Sequence, residues 1–138
     1  MLNIKMNWGG GLKFEGMTDW GHKIVTDGGK PAGGEQAGYK PTELMFYGLA
    51  GCVGIDIVRI LEKQRQDLKS LEIEVTGFHN DEYPKPFHTV DMKFVATGDV
   101  DPKKLAKAIE LSEEKYCMVG QTIARETKMT WSYEVNPD

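Results

Sequence analysis

Hydrophobic residues are concentrated in one long run near the middle of the chain, residues 44–58. Pro41 suits the first turn of a helix, where its missing N–H has no intrahelical partner to lose. Glu43 would then lie in the first turn, where a carboxylate meets the positive end of the helix dipole. The run therefore predicts a helix that begins near residue 41. Because apolar residues cover every face, we expect this helix to be buried on all sides.

Three glycines recur at every third position inside this predicted helix: Gly48, Gly51 and Gly54. Each costs roughly 1 kcal/mol relative to alanine in a helix interior, so their presence indicates that something packs closely against the helix. A single sheet layer in a chain of 138 residues can hardly cover a helix that is apolar all round. A second copy of the chain could, and the pattern predicts an intimate homodimer.

Alternating polar and apolar residues predict strands on both sides of this helix. The N-terminal segments, at residues 3–8, 11–17 and 22–27, predict an antiparallel meander. Two longer segments, at residues 71–78 and 87–97, predict a hairpin.

The C-terminal part predicts two further helices and a last strand. Asp101 and Pro102 are typical of an N-cap and a first helical position, and the helix they open extends to about Lys115 with a one-sided apolar stripe. A short helix is predicted at residues 121–125 and a final strand at residues 128–135. The order indicates an α+β fold of antiparallel sheets around the apolar helix, in one domain spanning residues 1–138.

The segment of residues 28–40 is rich in glycine and predicts a loop. No Gly-Lys-Ser/Thr pattern follows it, and its glycine spacing is not that of a dinucleotide fingerprint. We therefore expect a flexible connection rather than a phosphate-binding loop.

The distribution of charged and apolar residues argues against nucleic-acid and membrane partners. The net charge is −4 and the charges are mixed along the chain, which argues against nucleic-acid binding. The chain has no stretch of about 18 consecutive uncharged apolar residues, so the sequence predicts no membrane span. The first residues lack the apolar core of a signal peptide, so we expect a cytoplasmic protein with no membrane partner.

The chain has two cysteines, Cys52 and Cys117, which are 65 positions apart. In a reducing compartment they are either inert buried thiols or a redox pair. Three scattered histidines, His22, His79 and His88, show no ligand spacing to them. We therefore expect no metal site.

Glu43 precedes Cys52 by nine residues. At about 100° and about 1.5 Å per residue, the two side chains would face opposite ways about 13 Å apart. They could meet across a dimer axis, with Glu43 of one subunit near the cysteine of the other. The alternative is that Glu43 serves only as a helix N-terminal charge.

Several motifs together resemble one known family. They are Lys40-Pro41-Thr42-Glu43-Leu44 followed by Ala50-Gly51-Cys52, then Glu113-Glu114-Lys115-Tyr116-Cys117, and a closing Trp131-Ser132-Tyr133-Glu134-Val135. Over nearly its whole length the chain is similar to the OsmC/Ohr family, the osmotically induced and organic hydroperoxide resistance proteins. The sequence of residues 112–117 most resembles that of the YhfA-like branch.

The resemblance implies an entwined homodimer and a cofactor-free thiol peroxidase that acts on organic hydroperoxides in oxidative stress defence. Cys52 would attack the peroxide and become a sulfenic acid, and Cys117 would resolve it to a disulfide that an external dithiol reduces. Glu43 would orient the family's arginine. We expect substrate contacts from Lys13, Phe46 and Leu49.

The arginine that active family members carry in the early strands has no counterpart here. Lys13 is the only cation in residues 11–20, and a lysine cannot make the planar bidentate contact with a carboxylate. Arg59, about 10 Å along the helix from Cys52, is a weak substitute. This departure leaves a second reading open, a non-catalytic dimer that binds a small apolar ligand or senses redox state.

Overall fold

The structure is a computed structural model that describes residues 1–125 and 127–138. The chain forms two compact units, residues 1–47 and residues 48–138. The prediction of a single domain over residues 1–138 stays a prediction.

The first unit contains the expected antiparallel meander. Its strands are β1 (Asn7–Trp8), β2 (Phe14–Met17) and β3 (Lys23–Thr26), paired in the order β1-β2-β3. The strands are shorter than the alternation predicted because backbone turns take up the residues between them. In the first of these turns the Lys13 N–H donates to the Gly10 carbonyl at 3.0 Å.

The glycine-rich segment after β3 is held in place by the buried side chain of Asp27. Its carboxylate accepts the backbone N–H groups of Gly28, Glu35 and Ala37 at 2.7, 3.1 and 3.0 Å. The hydrogen bond from Ala37, aided by the other two, holds the pKa of Asp27 below its usual value although burial acts the other way. The prediction of a flexible connection missed this anchor.

Two glycines in this segment are required by close backbone approach. A Cβ at Gly34 would lie 2.0 Å from the Gly28 carbonyl oxygen, and one at Gly38 would lie 2.2 Å from the Val25 carbonyl oxygen. Such distances leave no room for any side chain. The glycines therefore allow the loop to fold back on β3.

The long helix, α1 (Pro41–Lys63), runs from the first unit into the second. Pro41 is its first residue, as predicted. The Glu43 carboxylate accepts the Lys40 N–H at 2.9 Å, which is half of a capping box. The start of the helix is thus fixed by local signals that the sequence carries.

Within the chain, only one face of α1 is buried. Leu49, Val53, Ile57 and Leu61, one turn apart, form that face. In the opposite direction, Ile55 is 61% exposed and Val58 is 45% exposed. The expectation of burial on all sides is therefore not met by a single chain.

The three glycines of α1 have different surroundings. A Cβ at Gly54 would come within 3.2 Å of Ile73 Cδ1, so this glycine lets a sheet side chain approach the helix. Apart from the adjoining residues and the nearby backbone of α1 itself, no heavy atom of the described residues lies within 4 Å of a Cβ placed at Gly48 or Gly51. Those two positions leave the exposed face of α1 flat and open.

By length and composition alone, α1 could also cross a membrane. The core helix of a soluble protein meets the same description, and 22% of the most apolar window is buried within the chain. Length and composition therefore do not separate the two possibilities.

The second unit contains a three-stranded sheet with the order β4-β5-β6: β4 (Asp67–His79), β5 (Phe87–Asp99) and β6 (Lys128–Val135). The antiparallel hairpin of β4 and β5 confirms the predicted pair, although β4 begins four residues earlier than expected. β6 pairs with β5 in parallel, so this sheet is mixed rather than wholly antiparallel. The helical crossover between β5 and β6 returns the chain to the starting end of the sheet, which is what parallel pairing requires.

Two helices form that crossover, α2 (Pro102–Leu111) and α3 (Met118–Ile123). Asp101 caps α2 by accepting the Lys103 N–H at 2.9 Å, as predicted. Residues 112–116 continue α2 as one π-helical turn. The sequence predicted an α-helix as far as Lys115 and a third helix from residue 121, and both bounds were wrong because this turn was not foreseen.

The core of the second unit lies between α1, β5 and α2. The inward residues of β5 are Val90, Met92, Phe94 and Ala96, all at most 1% exposed. The stripe of α2 is buried as predicted and consists of Leu105, Ala108, Ile109 and, in the following turn, Ser112. This packing fixes α1 against the crossover that carries Cys117.

Replacing Asp27 with alanine should lower the midpoint of thermal unfolding at pH 7, because three backbone N–H groups lose their acceptor. Since the folded pKa of Asp27 is depressed, the carboxylate stabilises the fold above the unfolded value, about 3.9, and less as the pH falls through the folded value. The difference between wild type and Asp27→Ala should therefore shrink below about pH 4.

Thermal unfolding followed by circular dichroism across this pH range measures the effect. Asp19→Ala removes an exposed carboxylate from the same unit and is the matched control. A difference that stays constant down to about pH 2 would contradict the assigned role of Asp27.

Candidate active site

Helix α1 places Cys52 and Asp56 one turn apart on the same side. Residues at i and i+4 are neighbours on a helix surface. Both side chains are half-buried, at the edge of the buried face of α1. The helix therefore presents a thiol and a carboxylate together.

Cys117 is brought to this place by the π-helical turn that ends α2. Its N–H donates to the Ser112 carbonyl at 2.8 Å, which closes the turn. Cys117 is also the N-cap of α3, and its Sγ accepts the Gly120 N–H at 3.2 Å. The side chain is fully buried.

The two cysteines and Asp56 form a compact cluster. Cys52 Sγ, Cys117 Sγ and a carboxylate oxygen of Asp56 all lie within 4.8 Å of one another. Both thiols are free in this structure. Thus the fold brings together two cysteines that are far apart in sequence.

Ser112 ties the two halves of the cluster together. Its hydroxyl donates to Asp56 Oδ2 at 2.8 Å, while its carbonyl accepts the Cys117 N–H. Ser112 itself is fully buried. One residue therefore sets the positions of both the carboxylate and the second thiol.

The environment of Cys117 strongly favours the protonated thiol. Burial, together with its hydrogen bond to Cys52, raises the pKa of Cys117 to about 12. The negative charge of Asp56 acts in the same direction, and the Gly120 N–H acts against it. A thiolate at this position is thus disfavoured near neutral pH.

The turn before Cys117 is braced by side-chain hydrogen bonds. The Trp131 indole N–H donates to Glu113 Oε2 at 2.8 Å, which ties the turn to β6. The Gln121 side-chain amide donates to the Glu113 carbonyl. These bonds limit the movement of the turn that carries the buried thiol.

A cavity of about 300 Å³ opens beside the cluster, between α1 and the end of α2. Asp56 lines it together with Arg59, Ile60, Lys63, Gln64, Leu111 and Tyr116. The cavity is thus mixed in character, because two cationic side chains line it together with apolar ones. It connects Asp56 to the surface.

The cluster also offers three potential metal ligands. A closed structural zinc site takes four protein ligands, whereas the described residues supply two thiols and one carboxylate. The expectation of no metal stays a prediction.

The other sequence-predicted residues lie in the first unit, except Leu49. Lys13 pairs with Glu35 at 3.1 Å, and this hydrogen bond and charge raise the pKa of Lys13. Glu43 caps α1, as described above, and Phe46 is half-buried on the same helix. Their proposed roles in catalysis and substrate binding stay predictions.

Leu49 lies in the second unit and is fully buried beside the cluster. A Cβ at Gly120 would come within 3.3 Å of Cys117 Sγ and 3.6 Å of Leu49 Cδ1. Leu49 and Cys117 therefore both lie beside Gly120, and the contact of Leu49 with substrate stays a prediction.

Sequence reasoning did not single out Asp56 or Ser112. The available signal for Asp56 was its i+4 spacing from Cys52 within an apolar run. Ser112 carried only a weak signal, a polar residue in the apolar stripe of α2, because its role depends on the π-helical turn.

The fold and the paired cysteines define a class of protein. A model of the OsmC-like protein family matches residues 33–132, and the chain belongs to this family. Among curated relatives it is similar to Protein YhfA of Escherichia coli (strain K12), with 36% identity over 135 residues, 97% of this chain and 98% of that protein.

Solved structures are similar over almost the whole chain. A hypothetical protein from Aquifex aeolicus VF5 has a TM-score of 0.82 and 30% identity, covering 98% of this chain and 97% of that one. An organic hydroperoxide resistance protein OsmC from Legionella pneumophila has a TM-score of 0.73 and 19% identity, covering 98% of each chain. The latter likeness is one of fold.

The two thiols should differ strongly in their reaction with iodoacetamide. Cys117 is buried and its pKa is about 12, whereas Cys52 is half-buried. Peptide mass spectrometry of the native protein at neutral pH should find Cys52 labelled well before Cys117, and labelling in urea should remove the difference.

In Cys52→Ser, the hydrogen bond that helps to raise the pKa of Cys117 is changed, but burial remains. The labelling rate of Cys117 in this variant should still increase about tenfold per pH unit through the alkaline range. Equal labelling of both native thiols at neutral pH would contradict this description of the site.

Proposed function

We propose that the protein is a thiol peroxidase that reduces organic hydroperoxides with Cys52 and Cys117. The observation that carries the proposal is the approach of the two thiols to within 4.8 Å across 65 residues of sequence. Family membership supports it, because similar structures include proteins described as organic hydroperoxide resistance proteins.

The cycle begins at Cys52, which is the more accessible thiol. Its thiolate attacks the terminal oxygen of the hydroperoxide, the O–O bond breaks, and the alkoxide takes a proton to leave as an alcohol. The Cys52 sulfur is oxidised to a sulfenic acid. Cys117 then attacks this sulfur, and water leaves as the disulfide forms.

An external dithiol completes the cycle by exchange, which returns both cysteines to thiols and leaves the dithiol oxidised. No bound cofactor is needed for these steps. The apolar side chains of Phe46 and Leu49 suit an organic rather than an inorganic peroxide. Lys13 is the cation that we propose to contact the substrate. We place this activity in the cytoplasm, where such dithiols are maintained.

The active form in this proposal is a homodimer. The open face of α1 carries Ile55 and Val58, and Gly48 and Gly51 lie on the same side, so a second backbone could approach closely. Burying a side chain such as isoleucine contributes about 1.5–3 kcal/mol. Glu43 of one subunit would then act beside the cysteines of the other.

A second candidate function is redox sensing. The pairing of Lys13 with Glu35 favours it, because the only cation in residues 11–20 is already held by a carboxylate. Without a cation to stabilise the thiolate, Cys52 would react slowly, and the disulfide would report oxidation instead of turning over.

Wild-type protein should consume cumene hydroperoxide with dithiothreitol as reductant, and Cys52→Ser should lose this activity because it lacks the attacking sulfur. Cys117→Ser should accumulate a sulfenic acid on Cys52, detected by dimedone and mass spectrometry. Equal slow consumption by wild type and Cys52→Ser would exclude the peroxidase. One oxidation per thiol pair without sustained turnover would identify the sensor instead.

Placing a charge on the open face should separate the dimer. Ile55→Asp should be monomeric by light scattering under conditions where wild type is dimeric, because the aspartate would have to be desolvated in the interface. Tyr83→Asp, at an exposed position in the β4–β5 loop, is the matched control and should stay dimeric. A monomeric wild type, or a dimeric Ile55→Asp, would contradict the proposed interface.

A further inference from the structure

Disulfide formation requires Cys117 to lose its thiol proton, and neither cysteine provides an acceptor for it. Cys117 must become a nucleophile, yet burial raises its pKa to about 12, so the protonated thiol predominates at pH 7. Its burial also keeps bulk base away from the thiol. A nearby acceptor for this proton would remove the difficulty.

Asp56 is the carboxylate in the right place. Its oxygen lies within 4.8 Å of both sulfur atoms. At this separation it reaches the thiol by a small side-chain adjustment or through one water, as catalytic bases often do before substrate binds. The hydrogen bond from Ser112 holds the carboxylate at this position.

Transfer of the proton to Asp56 avoids a second negative charge in the cluster. Losing it to solvent would leave a thiolate and a carboxylate within 4.8 Å of each other. Moving it from Cys117 Sγ to the Asp56 carboxylate keeps a single negative charge in the cluster. Because a carboxylate is a much weaker base than a thiolate, the proton moves only as the new S–S bond forms, and two like charges that would repel strongly never coexist in the cluster.

The cavity beside Asp56 provides a route by which the water formed in the reaction can leave. Asp56 lines the cavity, and the titratable or charged groups that share it are Arg59, Lys63 and Tyr116. The remaining titratable group in the cluster is Cys52 itself. Asp56 therefore lies between the buried thiol and an opening to solvent.

We propose that Asp56 accepts the proton of Cys117 during disulfide formation. Resting on the proposed peroxidase function, the step is as follows: the Cys117 S–H bond breaks as its sulfur forms a bond to the Cys52 sulfur, and the sulfenic S–O bond breaks. Asp56 takes the proton and passes it to the departing hydroxide, which leaves as water. The Cys52 sulfur is reduced and the Cys117 sulfur oxidised, so no further reagent is needed.

The attack by Cys117 can be measured without any peroxide. Reaction with 5,5′-dithiobis(2-nitrobenzoate) at Cys52 gives a mixed disulfide, and attack by Cys117 then releases a second coloured thiolate at a rate that stopped-flow absorbance records. Asp56 takes the same proton in this reaction. Cys117→Ser should retain the mixed disulfide and so serves as the blank.

Asp56→Asn should slow this release about 100-fold at pH 7, the usual range for loss of a positioned base. Its amide oxygen can still accept the Ser112 hydroxyl, so the packing is retained. The residual rate should rise about tenfold per pH unit, since hydroxide must now remove the proton. Ser112→Ala should show a partial loss with the wild-type pH profile, because the carboxylate remains.

Glu62→Gln is the matched control, because it removes an exposed carboxylate from the same helix. It should release the coloured thiolate at the wild-type rate. The wild-type pH profile tests the proposal even if Asp56→Asn does not fold, since it should be nearly flat between about pH 6 and about pH 9.

A wild-type rate that rises tenfold per pH unit, or an Asp56→Asn rate equal to wild type, would overturn the role of Asp56. Failure of wild type to reduce hydroperoxides would overturn the proposed function. Because the mixed-disulfide assay uses no peroxide, the two failures are distinguishable.

Discussion

The geometry of the thiol cluster depends on Ser112, which bonds in two directions at once. Its carbonyl closes the π-helical turn on the Cys117 N–H, and its hydroxyl holds the Asp56 carboxylate. In a regular α-helix each residue is rotated by about 100° relative to the one before it. The wider π-helical turn changes this rotation, and with it the direction in which the residue after the turn faces. Cys117 therefore faces α1 because the helix before it widens at Ser112.

Burial gives the two cysteines different chemistry although they nearly touch. Cys117 lies inside the packing of the second unit, and its pKa is raised chiefly because a charged sulfur would lose its hydration there. Cys52 sits at the edge of the same packing and is only half-buried. The Cys52 sulfur is therefore the more open to approach, while the Cys117 sulfur is shielded from outside reagents.

Local signals in the sequence were enough to predict several elements. Asp101 and Pro102 fixed the start of α2, and alternation of polar and apolar residues identified the β4–β5 hairpin. The parallel pairing of β6 was not predictable in this way, because it follows from the path of the whole crossover. The resemblance to the OsmC/Ohr family assigned the cysteines as a pair, whereas Asp56 and Ser112 emerged only once the π-helical turn was seen.

Cys52 lies between the buried and the open face of α1. At about 100° per residue, Cys52 is about 40° from Gly48 on the open side and about 60° from Leu49 on the buried side. A side chain placed there is shielded by the core on one flank only. In the proposed dimer, the subunit that covers the open face would complete the apolar surroundings of Cys52 and set the width of the approach to its sulfur. In the proposed dimer, the residues of the open face would thus also influence which molecules can reach the thiol.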